Sequence, residues 1–227
     1  MPKCPYVEDE EKEILKDPLN VDLVKRLNKL LNEKRQEETL EELEAKFKAF
    51  KPECAKNFTR FDQFPISRRT LRGLADAGFV NPTEIQRQSL GYSLTGRDVI
   101  GAAKTGSGKT LALIIPLLEC LYRNSWSRTD GLGALVICPT RELSYQIFKV
   151  INDVGGRHQF SVALLIGGTN VEYEKKRLAT MNIVICTPGR LLHHMDENEC
   201  FTCDQLQMLI IDEADRILDM GFQRQVL

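Results

Sequence analysis

The chain has 227 residues, of which 42% are hydrophobic and 28% charged, and its formal net charge is -1. That length allows one globular domain with a sizeable core plus an extension, and the near-neutral balance excludes a global positive field, so any nucleic-acid surface must be local. No apolar run approaches the roughly 20 residues of a membrane span, the acidic start MPKCPYVEDEEKE lacks the apolar core of a secretory signal, and the seven scattered cysteines suit a reducing compartment better than a disulfide scaffold.

Residues 1–57 are rich in Glu and Lys and contain no glycine. Leu23, Val24, Leu27, Leu30 and Leu31 recur at helical spacing, as do Leu40, Leu43, Phe47 and Phe50. The pattern predicts a charged amphipathic or partly disordered extension, with a partner-binding helix as the sharper reading. From Phe58 onward the texture changes. Short apolar runs without alternation appear at Val99–Ala102, Ala134–Cys138, Val162–Ile166, Ile183–Cys186 and Met208–Ile211, separated by helical segments. Unbroken apolar runs are expected of parallel strands covered on both faces, and their alternation with helices predicts an α/β, doubly wound, mostly parallel sheet over residues 58–227. Ligands of such sheets sit beyond the carboxyl ends of the strands. The chemically suggestive stretches AKTGSGKT, PTRE, GG, TPGR and DEAD each follow a run.

The first of these is Ala103-Lys104-Thr105-Gly106-Ser107-Gly108-Lys109-Thr110. A glycine-containing loop between a strand and a helix presents N–H groups to phosphate oxygens, and the helix dipole adds to the attraction. Gly106 and Gly108 permit the tight path, Lys109 reaches the β- and γ-phosphates, and the Thr110 hydroxyl holds Mg²⁺. Ala103 stands where the strict G-x-x-x-x-G-K-[ST] pattern has glycine, and the strand–loop–helix context carries the assignment instead. Roughly 100 residues later comes Asp212-Glu213-Ala214-Asp215. A carboxylate at a buried strand end holds Mg²⁺, usually through water, so Asp212 is assigned to the metal and Glu213 to the attacking water. Lys109, Asp212 and Glu213 are thus the catalytic candidates, with a helix over Ala214–Met220 following them. The lone Cys200-x-x-Cys203 pair is a weak metal or redox signal. His193 and His194, about 100° apart on a helix, read as helix residues and not as ligands.

The chain is identified by these motifs as resembling the DEAD-box RNA helicases. Asp212–Asp215 spells the family name, while Pro139-Thr140-Arg141-Glu142-Leu143, Gly167-Gly168 and Thr187-Pro188-Gly189-Arg190 resemble further family motifs in the family's order. Gly78-Phe79-Val80-Asn81-Pro82-Thr83-Glu84-Ile85-Gln86 looks like the Q motif, Phe61 lies 17 residues before Gly78 where the family has an isolated aromatic, and the family's loop commonly starts with alanine, as at Ala103. The resemblance implies a RecA-like domain binding ATP and Mg²⁺. The Gln86 amide suits adenine N6 and N7, and Phe79 offers a face for the base. Thr140, Arg141, Gly168, Thr187 and Arg190 suit sugar–phosphate contacts that position RNA without reading its bases.

Longer stretches, among them GAAKTGSGKTLA and LQMLIIDEADRILDMGF, resemble family members acting in small-subunit pre-ribosomal RNA processing. That implies a nucleolar protein working on pre-ribosomal RNA, with pre-ribosomal proteins as partners, as a monomer and without a membrane. The sequence stops at Leu227, before the Ser-Ala-Thr motif and second RecA-like domain that the resemblance implies. The expectation is the front part of a longer helicase (a fragment, a truncated gene model or a short isoform) with weak turnover by itself. Two other readings stand beside the RNA helicase: a catalytically inert ATP- or RNA-binding lobe, and an ATPase acting on DNA.

Overall fold

The computed structural model describes residues 39–168, 171–198 and 201–219. The Leu23–Leu31 pattern and Cys200 lie outside them. The chain divides into two compact units, residues 1–119 with 153–157, and residues 120–152 with 158–227.

In the first unit, the end of the acidic extension is folded. Helix α1 (Leu40–Ala49) opens with a capping box. The Thr39 hydroxyl accepts from Glu42 N at 3.2 Å, and the Glu42 carboxylate accepts from Thr39 N at 3.4 Å. Two orphan N–H groups are satisfied this way, and the apolar stripe read from the sequence buries Leu43 completely. Phe50, Phe58 and Phe64 then form a ladder with ring centroids 6.1 and 5.0 Å apart. A 3₁₀ turn, Pro52–Asn57, packs on helix α3 (Glu84–Ser93). Helix α2 (Arg68–Asp76) starts at Ser67. There the buried Glu119 carboxylate accepts from Ser67 N at 3.0 Å and from the Ser67 hydroxyl at 2.7 Å. An anion at a helix N-terminus is favoured by the dipole and by the unpaired amides. Glu119 belongs to helix α4 (Lys109–Arg123), which begins directly after the glycine loop.

The second unit holds a four-stranded, all-parallel sheet. Its strands are β1 (Ala134–Ile137), β2 (Val162–Leu165), β3 (Ile183–Cys186) and β4 (Met208–Ile211), in the order β2-β3-β1-β4. Register pairs Ala134 with both Ile183 and Met208, and Val162 with Ile183, so the carboxyl ends are level. The crossovers are helices α5 (Arg141–Gly155), α6 (Val171–Leu178) and α7 (Pro188–Glu197), and a short helix α8 (Ala214–Asp219) follows β4. From β1 to β2 the chain moves one way across the sheet, and from β2 to β4 it moves back. Right-handed crossovers therefore place α5 on one face and α6 and α7 on the other. On that second face Leu135, Ile137, Val184 and Cys186 pack with Leu178, Leu191 and Ile217 in one core cluster. This is the doubly wound α/β architecture expected from the sequence.

One of the five predicted strands does not form. Val99–Ala102 has no assigned secondary structure, and Ile100 is 101% exposed. An apolar run becomes a buried parallel strand only with ladder partners for its backbone. Both edges of β1 are taken by β3 and β4, and no described strand pairs with Val99–Ala102. The outer edge of β4 is unpaired among the described strands, and Leu209 is 53% exposed there. Among the described residues no helix is long and apolar enough to cross a membrane.

Candidate nucleotide and nucleic-acid sites

The candidate residues fall in both units, and each group has its own local geometry. In the first unit, α2 ends in a Schellman motif. Phe79 N donates to Leu74 O at 2.8 Å and Gly78 N to Ala75 O at 3.0 Å. The motif needs a left-handed residue, which Gly78 supplies at φ 81. The turn leaves the Phe79 ring exposed, as a stacking face requires. Gln86 sits in the first turn of α3, and its amide is buried. Its Oε1 accepts from Thr83 N at 2.8 Å, and its Nε2 donates to Gly108 O at 2.8 Å. The Q-motif side chain and the glycine loop are therefore joined directly. Gly108 has φ 92, and a Cβ there would lie 2.6 Å from Gln86 Nε2, so no larger residue fits.

The loop folds onto itself. Ser107 N donates to Lys104 O at 3.2 Å, and Lys109 Nζ donates to Ala103 O at 2.6 Å. Thr105 and Gly106 form the turn, and a Cβ on Gly106 would meet no atom within 4 Å. The Ser107 hydroxyl is buried without a hydrogen-bond partner. An open turn, an unpartnered hydroxyl and a lysine at the start of α4 fit a phosphate group. Thr110, in the first turn of α4, is partly buried.

In the second unit, the remaining motifs sit at the carboxyl ends of the strands. Thr140 starts α5, its hydroxyl accepting from Leu143 N at 3.2 Å. Exposed Arg141 lies against the glycine pair after β2: a Cβ on Gly167 would come within 2.8 Å of Arg141 Nη2, and one on Gly168 within 3.5 Å of Nη1. Thr187, after β3, donates its N–H to Leu165 O at 3.1 Å, which ties it to the end of β2. Thr140, Arg141, Gly168 and Thr187 are thus gathered at one end of the sheet. Arg190 differs. Its guanidinium is held by Glu174 on α6 at 2.9 and 2.8 Å.

Asp212 follows β4 and is buried. Its N–H donates to Ile137 O at 3.0 Å, and its Oδ1 accepts from Glu213 N at 3.0 Å. Glu213 takes the left-handed conformation, φ 49, which non-glycine residues adopt at a cost of roughly 1–2 kcal/mol. Its carboxylate lies 3.1 Å from Arg216 Nη1. Beneath this end of the sheet, burial pushes the Cys138 thiol up to about 12 and raises Cys186 as well, so both stay protonated and non-nucleophilic at neutral pH. Glu174 and His194 were not singled out as a site by sequence reasoning. The Arg190–His194 spacing of i,i+4 was the available signal, since it puts both on one helix face.

A parallel sheet with flanking helices and helicase motifs at its strand ends, together with the glycine loop before α4, defines the RecA-like class of fold. The sequence profile of the DEAD/DEAH box helicases matches residues 83–227, and the chain belongs to that family. It is 59% identical over 164 residues to the probable ATP-dependent RNA helicase DDX10 of Mus musculus, covering 72% of this chain and 19% of that protein. It is 52% identical over 196 residues to the ATP-dependent RNA helicase DBP4 of Kluyveromyces lactis, covering 86% and 25%. A DEAD box protein from the hyperthermophile Methanococcus jannaschii superposes with a TM-score of 0.69 and 32% identity, over 74% of this chain and 45% of that one. The chain spans 19% to 25% of the length of these curated relatives.

Proposed function

We propose that this chain is the ATP-binding part of an RNA-dependent ATPase that opens short RNA duplexes, acting on pre-ribosomal RNA in the nucleolus alongside pre-ribosomal proteins. The observation that carries the reading is the joining of Gln86 to Gly108 at 2.8 Å, which couples a base-reading amide to a phosphate loop. In this account residues 103–110 hold the triphosphate, and Lys109 leaves Ala103 O to reach the β- and γ-phosphates. Gln86 turns its remaining donor and acceptor to the adenine edge, against Phe79. The Asp212 carboxylate, through water, and the Thr110 hydroxyl are hard oxygen donors of the kind Mg²⁺ takes, and would hold it in this account. When bound it neutralises phosphate charge. Glu213 orients the attacking water.

Arg141, Thr140, Gly168 and Thr187 meet the sugar–phosphate backbone of one strand. Residues 58–227 form the RecA-like part in this account, and the 3₁₀ turn Pro52–Asn57 before it packs on α3. The decisive test is ATP turnover by the full chain, alone and with single-stranded RNA or DNA of one sequence. RNA should raise turnover and DNA should not, because the 2′-OH distinguishes them. Equal stimulation by DNA would reassign the substrate. Nucleotide binding with no stimulation by either would leave a binding lobe without catalysis.

A further inference from the structure

Arg190 closes a motif of RNA-contact type, yet its guanidinium is turned into the protein. Its Nε and Nη2 donate to one oxygen of Glu174, Oε2, at 2.9 and 2.8 Å. His194 Nε2 lies 2.7 Å from the same oxygen. Glu174 and His194 are buried, and the Arg190 side chain is only 11% exposed. His194 Nδ1 is buried with no hydrogen-bond partner. A proton on Nε2 lets the ring donate to Glu174. Arg190 and His194 thus converge on one buried carboxylate oxygen of Glu174.

The position of this cluster gives it a role. Glu174 lies on α6, the helix that follows Gly167-Gly168. Arg190 and His194 lie one turn apart on α7, the helix that Thr187 opens. The two helices are thus tied at the point where both lead into the loops read as RNA-backbone contacts. Drawing Arg190 to a phosphate would break a short ion pair to a buried carboxylate, and breaking such a pair is strongly unfavourable.

We infer that Glu174 is a positioning residue for RNA binding, acting through Arg190, and that Arg190 is an internal strut and not a phosphate contact. This rests on the RNA reading proposed above. Glu174 fixes α6 against α7 and so sets the spacing of the glycine pair and Thr187 along the strand.

The test is fluorescence-anisotropy binding of labelled single-stranded RNA by the full chain over a range of salt concentrations. It compares the wild type, Glu174→Ala, Arg190→Ala, the double variant and Glu174→Gln, with thermal melts and ATP binding as folding checks. Glu174→Ala and Arg190→Ala should each lose roughly tenfold in RNA affinity, and the double variant should lose little more, as expected of groups acting as one unit. ATP affinity should be unchanged. Glu174→Gln, whose carbonyl still accepts from Arg190, should recover most of the loss; it carries the test if Glu174→Ala does not fold. The dependence of log Kd on log salt should keep its wild-type slope in Arg190→Ala, because no counterion-releasing contact has gone. Tighter RNA binding by Glu174→Ala or Glu174→Gln would overturn the inference, since freeing the guanidinium would then have gained a contact. A slope reduced by about 0.7 in Arg190→Ala would overturn it equally, that being the signature of one lost phosphate contact on a single strand. No RNA binding by the wild type would instead overturn the RNA reading itself, and the strut role with it.

Discussion

In the proposed site the Gln86 side chain serves two tasks, bracing the loop and meeting the base. Its amide has two donors and two lone pairs. One acceptor site is used by Thr83 N and one donor by Gly108 O, both at 2.8 Å. The remaining pair is what an adenine edge would meet. Removing the amide therefore does more than remove base recognition, because it strands a carbonyl of the phosphate loop. Gln86→Ala is expected to weaken ATP binding roughly ten- to hundredfold, the range for leaving one buried polar group unmatched. Inorganic triphosphate, titrated in competition, should also bind more weakly but by a smaller factor. An unchanged triphosphate affinity would show that the bond to Gly108 does not support the loop. The residue type and its place in the motif were legible in the sequence. Its bond to Gly108 was not, because 22 residues separate the partners and no local pattern marks a contact across that distance.

At the level of elements, four apolar runs became strands within a residue of where the sequence placed them, because each finds ladder partners. Val99–Ala102 is apolar too but finds no ladder partner among the described strands, and pairing is a property of the fold that a run of residues does not encode. The N-terminal pattern was legible as a helix at Leu40–Ala49. That Leu43 is fully buried, and that Phe50, Phe58 and Phe64 form a ladder after the helix, was not legible, because neither follows from local spacing. The strand starts carry a device with no motif at all. Buried Asn182 donates to Ser127 O at 2.7 Å and Gly131 O at 3.1 Å, and its Oδ1 accepts from Ser161 N at 3.2 Å. It thereby joins the loop before β1 to the entries of β2 and β3. Asn182→Ala should lower unfolding stability by about 1–3 kcal/mol, the cost of leaving such groups unpaired. Chemical denaturation measures it, and a change under half a kcal/mol would mean water replaces the amide without loss.

For the molecule as a whole, the doubly wound α/β architecture was legible in the alternation of apolar runs and helices, while its RecA-like character was implied by the resemblance of its motifs, and the family match over residues 83–227 agrees with both. The loop at residues 103–110 is the proposed seat of a nucleoside triphosphate. Lys109 is the residue to question, because its ammonium now rests on Ala103 O at 2.6 Å and must exchange that carbonyl for phosphate oxygens. The most direct measurement is an equilibrium titration of the full chain and of Lys109→Ala with Mg·ATP, each checked by its melting curve. The account predicts saturable binding by the wild type and its loss, by tenfold or more, in a variant that melts as the wild type does. Equal affinity in the two chains would contradict it and remove the phosphate loop from the site.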